Sequence, residues 1–348
     1  MNDPSRFQRL PLTVQTAYSD LLARLQEDAV LEVGGTPVLR DRSSKKYWYS
    51  VQRLGAHTLE RYLGPDTPDI RAQVERARAV REDLKQREQQ RARLARMCRG
   101  GGLPAVDAQT GQVLLALAKA GVFRLRGVLV GTHAFRCYPA ILGVALSEAL
   151  AATEDIDVAA FHSISVALDD RLDPALADAL RQVGPFIARP NIHDRPTAWR
   201  DAESGAAVEL LTPNDGPDRD EPLELPALGA YAQPLRFLDY LIHEPVQAAA
   251  LYRAGVLLNV PQPARYAVHK LIVAVRRHAN ATAKARKDID QAAALIRVLA
   301  TDRPDELEEA YKEGHGRGPS WQEALEKGMH RLPRDAKEAL SKLIGTNA

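Results

Sequence analysis

Asp155 and Asp157 stand two residues apart in ATEDIDVAAF, residues 151–160, inside an otherwise apolar run. Ile156 and Val158 alternate with them, which reads as a β-strand. Period-two alternation puts both carboxylates on one face and the two branched residues on the other. Like charges at that spacing repel, and burying either one costs free energy unless a cation compensates. The strand therefore leaves two options: an acid face turned to plain solvent, or an acid face built around positive charge. Glu154 alternates to the opposite side, so it is expected to be dispensable for whatever the two aspartates do.

Two more pieces lie on either side. VLVGTHAF, residues 128–135, reads as a strand that ends at Gly131-Thr132 and enters a helix. AVELLTP, residues 207–213, reads as a strand with Glu209 between apolar neighbours. Nucleotidyl transfer needs this ordered set. A small turn at Gly131 lets backbone N–H groups and the Thr132 hydroxyl approach phosphates. Two carboxylates on one strand face suit a pair of Mg²⁺ (or Mn²⁺) ions roughly 3.5–4 Å apart. A third carboxylate, Glu209, is then a further metal ligand or the general base beside the attacking hydroxyl. Each piece alone is weak, and a solvent-facing acidic strand remains the plain alternative.

Charge is unevenly spread over the 348 residues. Residues 1–100 hold 19 Lys+Arg against 13 Asp+Glu, residues 151–230 hold 6 against 16, and residues 261–300 hold 8 against 2. An acidic middle between basic flanks suits a metal site beside surfaces that meet polyanions, although solvated charged helices produce the same asymmetry. The longest apolar runs, such as VLLALA at 113–118, are too short to span a bilayer. The N-terminus has no secretory pattern, so a cytoplasmic location with no membrane partner is expected. Cys98 and Cys137 form no CxxC pair, which points to two reduced thiols.

The periodicity gives an α+β chain in three parts. Residues 1–103 read as a helix over 11–27, a basic aromatic β-hairpin or meander, and one long charged helix from Pro68 to Cys98, closed by RGGGLP. Residues 104–232 alternate strands and helices around the three acids. Residues 233–348 read as mostly helical from Pro234 onward. In the N-terminal part, Arg40, Arg42, Lys45 and Lys46 interleave with Tyr47, Trp48 and Tyr49. That mixture suits nucleic acid, while a small core of aromatics against the long helix is the rival reading. His162, His193 and His243 lack a metal-ligand spacing, and Ser163 and Ser165 lack a nucleophile elbow. GHGRGP, at 314–319, reads as a loop.

GT…TEDIDV…VELL resembles the hG[GST]–[DE]h[DE]–h[DE]h pattern of the DNA polymerase β-like nucleotidyltransferase superfamily. The run VPQPARYAVHKLIVAVRRHANATAKARKDIDQAAAL, residues 260–294, is similar to the helical segment of bacterial abortive-infection (AbiEii-like), toxin-type nucleotidyltransferases. The resemblance covers about residues 120–300. It implies a polymerase β-like core of mixed sheet and flanking helices with a helical C-terminal domain. It assigns Asp155, Asp157 and Glu209 to metal. Gly131, Thr132, Lys270 and Arg286 go to the NTP, and Asp288 to organising the site. His269 replaces the acid often found before the lysine, and Asp290 falls one residue early. The activity implied is NMP transfer from an NTP to a hydroxyl. RNA, for example a tRNA 3′ end, is the first acceptor, and a protein or small-molecule hydroxyl comes next. A toxin or defence role with an antitoxin partner is also implied. A non-catalytic nucleic-acid-binding module on the same scaffold is the rival from another class.

Overall fold

The computed structural model describes residues 7–30, 36–42, 45–54, 57–151, 155–167, 171–214, 216 and 219–345. Glu154 lies outside them. Helix α1 (Leu12–Val30) packs along the end of the 33-residue α2 (Pro68–Gly100). Thr67 caps α2, with Pro68 in its first turn, where a missing N–H costs nothing. Between these helices run β1 (Thr36–Arg42), β2 (Lys45–Leu54) and β3 (His57–Pro65), an antiparallel sheet in sequence order. Trp48 is buried, donates its indole N–H to Asp66 at 2.9 Å, and has the Arg78 guanidinium over its ring. Tyr47 and Tyr49 on the other face are half-buried.

Asp107 caps α3 (Ala108–Ala120), which ends at the left-handed Gly121. The site sheet follows: β4 (Val128–Val130), short helices α4 (Gly131–Phe135) and α5 (Tyr138–Leu142), β5 (Asp155–Ala159), then α6 (His162–Ala167) and α7 (Leu176–Arg181). Next come β6 (Phe186–Ala188), β7 (Ala198–Asp201), β8 (Ala207–Pro213), β9 (Leu223–Leu225) and β10 (Ala230–Leu235). Their order is β4-β5-β8-β10-β9, with β7 beside the first half of β8 and β6 beside β7. β5 runs parallel to β8 and β8 to β10, while β4, β6, β7 and β9 pair antiparallel. Ile156, Val158, Trp199, Val208 and Leu210 fill the core face of this sheet.

After the single-turn α8 (Leu238–Leu241) the chain makes a hairpin, β11 (Val246–Ala250) with β12 (Val256–Val260). The region from Pro234 onward is mostly helical, as expected, but this hairpin within it was not foreseen. VLLNV alternates buried and half-buried residues, and positive φ at Arg253 and Gly255 turns the chain back, so tertiary packing overrides the helix preference of the alanines. Helices begin at Pro263 with α9 (Pro263–Arg276), α10 (Thr282–Asp302), α11 (Pro304–Gly316), α12 (Pro319–His330) and α13 (Arg334–Ile344). His315 and Gly316, expected in a loop, close α11, and Arg317 after them pairs with Asp239 and Glu313. One buried cluster runs from Val113 to Leu340 and joins sheet to helices. A second, smaller one joins α1 and the end of α2 to β11. Both cysteines are buried and free. Among the described residues no helix is long and apolar enough to cross a membrane.

Candidate active site

Strand direction brings the sequence pieces together. β4 is antiparallel to β5, so β4 ends at the edge where β5 begins, with Val130 opposite Asp157. The next residue is Gly131, at φ +66°, and a Cβ there would lie 2.5 Å from Asp157 Oδ2. Only glycine fits both that backbone and that contact. On the other side β5 lies parallel to β8 in a register that sets Asp157 against Glu209. Asp155, Asp157 and Glu209 therefore share one face at one end of the sheet. Asp155 is exposed, and Asp157 and Glu209 are half-buried.

The electrostatics follow from that crowding. Burial pushes the Asp157 carboxyl up to about 7, helped by Glu209 and Asp155 and opposed by Lys270 and Lys284. Burial and Asp155 raise Glu209 as well, against the pull of Arg189 and Lys284. Among the described residues no three His, Cys, Asp or Glu side chains already close on a single ion. The donors are nonetheless all hard carboxylate oxygens, one of them held well above its ordinary range by burial and by its two acidic neighbours. That donor set fits Mg²⁺ or Mn²⁺ better than a softer metal.

Lys270 and Asp288 sit behind the turn. Lys270 Nζ lies 2.5 Å from Asp288 Oδ1, and Arg277 Nε lies 2.7 Å from Asp288 Oδ2. Burial would raise Asp288, but Lys270 and Arg277 outweigh it and hold the carboxyl below its ordinary range. Lys270 is also held low, because full burial outweighs the attraction of Asp288 and Arg277 adds repulsion. The two shifts have different causes: burial lowers Lys270, while two cations on one acid lower Asp288. The cluster carries surplus positive charge and would gain from another anion.

Sequence reasoning missed Tyr266, Arg277 and Lys284. The Tyr266 hydroxyl lies 2.9 Å from the Gly131 carbonyl oxygen and 3.0 Å from Gln291 Oε1, and Lys270 Nζ sits over its ring. Gln291 Nε2 in turn donates to the Leu150 carbonyl at 2.6 Å. Lys284, Asp288 and Gln291 fall on one face of α10 at helical spacing, so Lys284 was findable one turn ahead of Asp288. Arg286 is exposed, and two residues from each of Lys284 and Asp288 it points to the other side of α10. Thr132 is half-buried just after Gly131. His133 is packed under the turn with both ring nitrogens unpartnered, and burial drives it down to about 4, so it stays neutral. His269 is buried and lowered to about 3 by burial, then by Lys270.

A mixed sheet edge carrying three acids, with a glycine turn and a lysine beside them, defines a class of α+β enzymes that act on phosphate groups. Comparison with family models narrows the class. Residues 108–315, more than half of the chain, match the model described as "Nucleotidyltransferase", and the chain belongs to that family; the protein is a nucleotidyltransferase enzyme. No curated protein and no solved structure matches.

Proposed function

We propose that the protein moves a nucleoside monophosphate from an NTP to a hydroxyl of RNA, on a polymerase β-like core that needs Mg²⁺ or Mn²⁺. The observation that carries this is the pairing of Asp157 with Glu209 beside the Gly131 turn. Asp155, Asp157 and Glu209 would hold the metal, which when bound neutralises the triphosphate oxygens and makes the acceptor hydroxyl easier to deprotonate. The Gly131–Thr132 amides and the Thr132 hydroxyl bind the β- and γ-phosphates. Lys270, with positive charge in excess of its acid partner, faces the same phosphates and is joined by Lys284. The acceptor oxygen bonds to the α-phosphorus, and the bond from that phosphorus to the α–β bridging oxygen breaks. Pyrophosphate leaves with the electron pair, and the acceptor proton passes to Glu209. The basic segment around 265–287 and the basic N-terminal sheet support RNA as acceptor. The toxin or defence role implied by resemblance predicts a neutralising partner protein encoded beside this chain.

The test is incubation of the purified chain with a divalent ion and each of four α-labelled NTPs, against total RNA and total protein. Label on RNA with stoichiometric pyrophosphate, lost in Asp157→Ala, is the expected result. Label on no acceptor overturns the proposal, and label on protein alone overturns the acceptor.

A further inference from the structure

Paired residues on neighbouring strands point to the same face, so the acid face can be followed sideways across the sheet. Asp155 pairs with Ala207, Ala207 with Arg200, and Arg200 with Ile187. Two residues along, Asp157 pairs with Glu209 and Glu209 with Ala198. The Ala198 carbonyl then accepts the Arg189 N–H at 2.8 Å. The acid face therefore passes over two small alanines and ends on an edge that carries Arg189, Arg200 and Ile187. At the usual strand spacing Arg200 stands about 10 Å from Asp155 and Ile187 about 14 Å.

That edge opens into a groove of ≈ 490 Å³ whose lining includes Ile187, Arg189, Pro190, Arg200, Asp201 and Glu203. Both arginines are exposed and neither holds an ion pair among the described residues. Ile187 is 64% exposed. The neighbouring Asp201 turns its carboxylate inward to the Glu203 and Ser204 N–H groups, at 3.0 and 2.8 Å. Two exposed guanidinium groups thus stand in the most acidic third of the chain, on the face that carries Glu209, and Arg189 is near enough to Glu209 to draw on its carboxylate. Charge complementarity selects a polyanion, and an exposed aliphatic surface between two arginines suits a base.

We infer that this shelf is the acceptor subsite, taking the 3′ end of a single-stranded RNA. Arg189 and Arg200 hold two backbone phosphates, and Ile187 and Pro190 support a base. The terminal hydroxyl reaches across Ala198 and Ala207 towards Glu209. The inference rests on the transfer reading for its chemistry, but binding can be measured without it. Fluorescence anisotropy of a labelled single-stranded RNA with a free 3′-hydroxyl, with no NTP, is followed over a salt series. The variants are Arg189→Gln/Arg200→Gln, Arg200→Gln alone, and Arg189→Lys/Arg200→Lys. Loss of two phosphate contacts should make the slope of log Kd against log salt shallower by about 1.4, and loss of one by about 0.7. The lysine variant should keep the wild-type slope. An unchanged slope and Kd in the double glutamine variant overturns the shelf. So does equal NMP transfer to a protein hydroxyl by that variant and wild type. Wild type that binds RNA with the expected slope yet transfers nothing overturns the transfer reading and leaves the shelf standing.

Discussion

Asp288 makes two contacts that are not interchangeable, and its removal should be far costlier than removal of its lysine partner. Asp288→Asn leaves Lys270 fully buried with no carboxylate and leaves Arg277 without its acceptor charge. Breaking a buried pair from one side in this way costs about 3–5 kcal/mol. Lys270→Met removes a cation already held low by burial, and Asp288 keeps Arg277 at 2.7 Å. The lost charged hydrogen bond is then largely offset by the ended burial of the ammonium, for a net of about 1 kcal/mol. The double variant Lys270→Met/Asp288→Leu should be more stable than Asp288→Asn, because only the partly exposed Arg277 is left to hydrate. Urea unfolding at pH 7, followed by tryptophan fluorescence, measures all three. The folded pKa of Asp288 lies below its unfolded value of 3.8, so its contribution is complete above that value and is lost as pH falls through the folded one. The wild-type excess over Asp288→Asn should therefore disappear in acid. A Lys270→Met variant as unstable as Asp288→Asn, or a double variant no better than the single, refutes the asymmetry.

Three other outcomes are expected. Gly131→Ala forces a side chain to φ +66° and against the Asp157 carboxylate, costing roughly 1–2 kcal/mol from the backbone alone; Asp157→Ala in that background should recover part of the loss in a melt. Asp157 is raised in the folded state, so metal-free protein should lose stability as pH climbs from 3.8 towards about 7. Asp157→Asn should flatten that fall, and a melting profile identical in the two proteins would contradict the account. Tyr266→Phe keeps the packing but removes the hydroxyl that meets Gly131 and Gln291; NTP KM should rise several-fold while the acceptor KM holds, and an unchanged NTP KM would remove Tyr266 from the positioning of the turn.

The strand segments were legible because Asp157 and Glu209 each sit between apolar residues, and period two then fixes their face. Ile156 and Val158 in the core, with Asp157 on the opposite face, follow from alternation alone. The β11–β12 hairpin was hidden by its alanines, whose helix preference is overruled only by the sheet they join. Tyr266 was hidden for a different reason. It looks like an ordinary core aromatic, and its role comes from a carbonyl 135 residues away in sequence. Lys284 carried a readable signal, one helical turn from Asp288, whereas Arg286, which the family pattern singles out, lies on the other side of the same helix.

The bonds from Tyr266 to Gly131 and Gln291 also bear on when the proposed site can be complete during synthesis. Chain growth delivers the acid strands long before α10, yet Lys270 gains its partner Asp288, and Tyr266 its partner Gln291, only from α10. Contacts this distant form late, after the intervening loops have closed. A nascent chain that has emerged only as far as β12 carries all three acids but neither the Lys270–Asp288 pair nor the Tyr266–Gln291 bond. The site proposed above is therefore completed late, once Asp288 and Gln291 of α10 have been made and dock on α9.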